Sequence, residues 1–292
     1  MKVSRTVITL TAIIAVLAFI AAALGVFWTG QGSPYEFHTV RGETVLLQGS
    51  GLYRYDTVSG AAQERAQDVV TLVVGLPLLL VSLALYRRGS LRGGLLLAGT
   101  LGYFLYTYAS MAFLTAFNSL FLVYVAAFSL SLYAFVLTLM SIDVAALPAR
   151  FSAHLPRRGI AALLYVLGGL LFLMWMGRIA PATLQGSAPA GLESYSTLVI
   201  QTMDLGLIVP LAFVAGTLLL RQRPFGYLLS SVVLLKGVTM GIALTAMIVG
   251  QLLAAVPVDL PAIIIFPLFA VVNIVMAAQL LRHVSEAEPA MA

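Results

Sequence analysis

An all-α polytopic membrane protein with eight transmembrane helices is the fold class the sequence predicts, and three observations predict it. Of 292 residues, 61% are hydrophobic and 9% charged, which leaves too little polar surface for a pair of soluble domains. Apolar runs of about 20 residues, the length that crosses a hydrocarbon core, recur with almost no charge over residues 6–28, 68–86, 93–114, 118–142, 159–180, 197–220, 225–250 and 260–281. The cations alternate with these runs. Lys2, Arg5, Arg87, Arg88, Arg92, Arg150, Arg157, Arg158, Arg221, Arg223 and Arg282 fall on one side, and Arg41, Arg54, Arg65 and Arg178 on the other. That asymmetry places both termini in the cytoplasm and the chain in the plasma (inner) membrane.

The first run follows Lys2 and Arg5 and contains Ala21-Ala22-Ala23, the outline of a secretory leader, but its length favours a retained span. Trp28 and Trp175 fall near the outer ends of spans one and five, where an indole buries its ring and keeps its N–H wet. Residues 29–67 form the one long extramembrane stretch. Residues 36–40, 44–48 and 52–56 are rich in Val, Thr, Tyr and Leu and are separated by Arg41-Gly42-Glu43 and Gly49-Ser50-Gly51, so a small β-rich cap of two or three strands is expected. Too small to stand alone, it must lie on the helix ends. Ser59 reads as an N-cap, and residues 61–67 as the wet first turns of span two.

Spans two and six share a pattern. Asp68 precedes Arg87 by 19 residues and Asp204 precedes Arg223 by 19, each with a proline further in, Pro77 and Pro210. The same offset of 136 pairs Thr100 with Lys236 and Tyr103 with Thr239. Within a single integral membrane domain over 1–292, this suggests two parallel four-helix halves, 1–146 and 147–292. The prolines, however, are three residues out of register at this offset.

Lys236 is the one charge well inside a span, about 15 Å from its cytoplasmic start. Such a group needs a partner, a watery cavity or neutralisation. Asp204 is the expected partner, with Gln201 one turn before it, although rise arithmetic leaves a gap of about 10 Å between their levels. Asp68, with Arg65 one turn earlier, reads as the matching group of the first half, but at the surface it reads better as a solvated acid at a helix start. Thr100, Tyr103, Thr107 and Ser110 stack on one face of span three. Interhelical hydrogen bonding or the lining of a pocket explains that stripe, and Gly94, Ala98 and Gly102 beside it suit close helix packing.

Absences narrow the chemistry. With no cysteine, disulfides, thiolate metal sites and a cysteine nucleophile are excluded. His38, His154 and His283 lie outside the spans, so no intramembrane histidine pair is present to hold a haem. Neither HExxH nor GxSxG nor a P-loop occurs, and no cofactor or metal is called for. The net charge of +5 follows from topology and not from nucleic-acid binding. Two functions remain in view. One is a permease or carrier for a small polar solute or ion, with Asp204, Lys236, Gln201, Thr239, Thr100, Tyr103 and Asp68 along its pathway. The other is a sensor or accessory subunit of a membrane complex whose outer cap binds a ligand or a membrane protein partner. Lipid is a partner in both.

Overall fold

A computed structural model describes residues 1–286; residues 287–292, assigned above to the cytoplasm with the C-terminus, lie outside the described residues. Among the described residues, eight helices long and apolar enough to cross a membrane run over Arg5–Phe27, Val58–Arg87, Leu91–Phe113, Phe121–Met140, Arg157–Gln185, Val199–Leu220, Pro224–Leu253 and Leu260–Arg282. They are called spans one to eight here. Their apolar faces demand lipid, and their backbone groups are satisfied within each helix.

Spans three and seven are the most enclosed of the eight. They pack on each other, and span two also touches both. Span four packs on spans three and one, span six on spans five and seven, and span eight on span seven. Small residues set these distances. A Cβ on Gly99 would meet the Cα of Leu235 and the amide of Lys236 at 3.3 Å, and one on Gly241 would meet the Cα of Ala270 at 2.8 Å. The backbones therefore approach as only glycine permits. Gly99, and not the Gly94–Ala98–Gly102 stripe, marks the closest approach of span three to span seven.

The cap is a two-stranded antiparallel hairpin, β1 (Tyr35–His38) and β2 (Thr44–Leu47), with Tyr35 opposite Leu47. The expected third strand is instead a series of turns. Gly49 takes a φ of 71° and Gly51 the same, so the chain bends back at once. A single bridge, Leu47 with Thr57, and the amides of Gln48 and Gly49 on the Asp56 and Arg54 carbonyls tie these turns to β2. Span two then starts ten residues before Asp68, capped by the Thr57 hydroxyl accepting from the Gly60 amide and not by Ser59.

Spans two and six are each broken by one π-helical turn, Thr71–Gly75 and Asp204–Ile208. The cause is local. Pro77 and Pro210 sit two residues past the turn, and a helical proline would clash with the carbonyl four residues back. One extra residue in the turn opens that space, and the amides of Leu76 and Val209 reach the carbonyls five residues back, of Thr71 and Asp204.

These breaks bring the two segments into register at an offset of 133, not 136. Val209 follows one π turn as Leu76 follows the other, and Pro224 starts span seven as Leu91 starts span three. Gln222 and Gly89 both take positive φ, and a Cβ on Gly226 or on Gly93 would strike the residues at 218 or 85, eight positions back in each case. In this register Thr71 corresponds to Asp204, Asp68 to Gln201 and Tyr103 to Lys236.

The segment after span eight packs on the start of span three, at the end of the bundle opposite the hairpin. Glu286 accepts from the amides of Leu91 and Arg92 and the Ser90 hydroxyl, and Arg92 donates to the Val284 carbonyl. A carboxylate here suits the positive end of span three.

Candidate functional site

Asp204 is the first residue of the π turn in span six, and that break turns its buried carboxylate toward span three. The Tyr106 hydroxyl donates to one oxygen at 2.7 Å and the Trp175 indole N–H to the other at 2.9 Å. The indole N–H of Trp175 thus has a partner in the acid, and the side chain is half-buried. Over the face of the same Tyr106 ring lies Lys236, its Nζ 4.0 Å from the ring centroid. Among the described residues no carboxylate comes within 4.0 Å of that ammonium. The order is therefore Asp204, Tyr106, Lys236. The one side chain thus touches both groups, its hydroxyl on the acid and its face under the ammonium, which gains the favourable face of a desolvated ring.

The other expected site residues divide. Gln201, one turn before Asp204, is buried and lines an open cavity of about 400 Å³ together with Ile179, Leu192 and Thr202. Thr239 turns its hydroxyl back to the Lys236 carbonyl, and Thr100 turns its own to that of Leu96, so both satisfy their own helices. Tyr103 joins a different network. Its hydroxyl meets the Gln67 side-chain amide at 2.6 Å and the Thr71 hydroxyl at 3.0 Å, and Gln67 also reaches Thr107. This is interhelical bonding between spans two and three. By the register of the two segments, this uncharged Thr71–Tyr103 contact occupies the place of Asp204 and Lys236.

Asp68 is not a solvated acid at a helix start. It is 5% exposed, lies against Gly25 of span one, and accepts from the Tyr53 hydroxyl at 2.5 Å. The expectation failed because the cap, through Tyr53, and span one, through Gly25, cover the polar first turns of span two. Glu64 and Asp56 are buried beside it. The loop after span five holds the cap down. Thr57 donates to the Glu193 carboxylate, Arg41 donates to the Glu193 carbonyl, and the Tyr195 hydroxyl donates to Asp56, whose same oxygen accepts the Ala116 amide at 2.8 Å.

Burial pushes the Asp56 carboxyl up to about 6, against the opposing pull of the Ala116 amide and the Tyr195 hydroxyl. The ordinary value is 3.8, so between these pH values the folded chain holds the proton more firmly than the unfolded one. Stability should fall as pH rises through this window and level off above it. Thermal unfolding in detergent is expected to show a higher midpoint near pH 5 than near pH 8, with the difference reduced in Asp56→Asn. A midpoint that rises with pH over this range would contradict the assignment.

Tyr106 and the group of Asp56 with Glu64 were not singled out from sequence. Tyr106 carried a usable signal, since it follows Tyr103 by three and precedes Ser110 by four. No family model, curated protein or solved structure matches the chain.

Proposed function

We propose that this chain is a permease or carrier for a small polar solute or ion in the plasma (inner) membrane, built as two parallel four-helix halves with both termini cytoplasmic. The observation that carries the reading is the buried series Asp204, Tyr106, Lys236, with opposite charges touching one side chain beside a broken helix. Intramembrane charges cost several kcal/mol and persist where they serve a pathway, and discontinuous helices are where carriers bind polar cargo. The cavity at Gln201 offers an approach from the outer side, and the matching π turns of spans two and six support the two-half plan. The cation asymmetry supports the orientation.

The reading is tested by reconstituting the full chain in vesicles and following proton and alkali-cation flux with ion-sensitive dyes. Flux above that of empty vesicles, reduced at least about tenfold in Lys236→Met, is the expected result. Flux equal in the two proteins would remove Lys236 from the pathway, and no flux with any of these ions would remove ion transport from the proposal.

A second reading, a sensor or accessory subunit, is favoured by the cap itself. Strand β1 is exposed along its length, and Phe37, Val40 and Leu46 present apolar surface at the outer face. A membrane protein partner would cover such a patch. Deleting residues 35–47 is expected to leave ion flux intact in the carrier reading and to abolish partner capture in the other.

A further inference from the structure

Beneath the cap, and separate from the Asp204 series, three carboxyl groups share one enclosed region. Asp56 is 1% exposed, Asp68 5% and Glu64 9%. Arg65 is the cation of this region, yet it forms no ion pair within 4.0 Å among the described residues, and its buried Nε has no hydrogen-bond partner. The guanidinium stays charged, so it is the carboxyls, buried with no ion pair within 4.0 Å among those residues, that give way to the neutral form.

The hydrogen-bond inventory points the same way. Oδ2 of Asp56 and Oε2 of Glu64 are buried without partners. So is the hydroxyl of Tyr124, a side chain 2% exposed that comes from span four and faces Asp68 and Glu64. Ionised carboxylates only accept hydrogen bonds, and a carboxylic acid also donates. Protons on this group would supply the donors that its oxygens lack. Among the described residues, no three acidic or histidine side chains converge as a metal cage.

We propose that Asp56, Glu64 and Asp68 form a proton-binding site that the outer cap closes, the cap seated while the site holds its protons and loosened when it loses them. The groups facing the site come from every element around it. The cap contributes Tyr53, span two contributes Arg65, span three Tyr103 and Tyr108, span four Tyr124, and the loop after span five Glu193 and Tyr195. The elevated titration of Asp56 agrees with this arrangement. Coupling to the cap is direct, because Asp56 belongs to it and is tied to Tyr195 and to Ala116 before span four. Ionising the carboxyls repels them from one another across those ties, and whatever favours the charged site favours the open cap.

The chain has no cysteine, so thiols can be placed singly in the full protein. Leu52→Cys reports the underside of the cap, at a residue 5% exposed, and Val40→Cys, at a residue 99% exposed, serves as the reference for the reagent's own pH dependence. Labelling by a membrane-impermeant maleimide is measured as the ratio of the two rates. That ratio is expected to rise at least about threefold from about pH 5 to about pH 8, and to flatten when Asp56→Asn or Glu64→Gln is added. Infrared spectra near neutral pH should show a protonated carboxyl band that weakens in Glu64→Gln. Asp68→Asn provides the same comparison if Glu64→Gln does not fold. A flat ratio in the parent pair, or no carboxyl band changed by any of these substitutions, would overturn the proposal. Neither readout depends on transport.

Discussion

Gly25→Ala is expected to destabilise the folded chain by about 3 kcal/mol or more, although it adds one methyl group. The new Cβ would lie 1.7 Å from Oδ2 of Asp68 and 2.8 Å from the Tyr53 hydroxyl. The carboxyl cannot stay where it is. To move, it must leave Tyr53 in a site with little water, and a buried polar group that loses its partner bears its full desolvation cost. Thermal unfolding in detergent measures the loss. Gly25→Ala combined with Asp68→Ala should recover part of it, since the shorter side chain vacates the contested space. Wild-type melting by Gly25→Ala would mean that spans one and two pack more loosely than described.

The second large effect is expected at Tyr106, where two interactions can be removed in sequence. Tyr106→Phe deletes one of the two hydrogen bonds to Asp204 and keeps the ring under Lys236, so a loss of about 1.5–3 kcal/mol is expected. Tyr106→Leu also removes the ring face from the ammonium, for a further loss of about 1–2 kcal/mol. Asp204→Asn with Lys236→Met should be more stable than Lys236→Met alone, because the double variant leaves no buried carboxylate without a nearby cation. Unfolding of the same set of variants provides these differences. Equal stability of Tyr106→Phe and Tyr106→Leu would show that the ring does nothing for Lys236, and strictly additive effects of the two charge substitutions would show that they do not sense each other.

Sequence and structure meet closely at the spans and part at the polar residues. The spans were legible because a bilayer imposes one length and one composition on every helix that crosses it, so each run could be recognised without its neighbours. The internal register was half legible. The acids and arginines of spans two and six pointed to an offset of 136, while the prolines pointed to 133, and the secondary structure follows the prolines. A proline acts on its own backbone through a fixed clash and leaves its mark at a set distance along the helix. An acid or arginine has no such fixed local consequence.

By itself, then, the sequence determined the eight helices, their order, the hairpin between the first two and the place of Lys236 well inside the seventh helix. Each of these follows from local composition or from the rise of a helix. Only the tertiary structure decided that Asp68 is buried, that Trp175 serves Asp204, that Tyr106 touches both Asp204 and Lys236, and that Asp56 and Glu64 join Asp68 beneath the cap. Those outcomes depend on which distant segment arrives at each polar group: Tyr106 and Asp204 are 98 residues apart, and Tyr195 and Asp56 are 139 apart. Hydropathy sums neighbours along the chain, whereas the burial of a polar group is settled by partners across it.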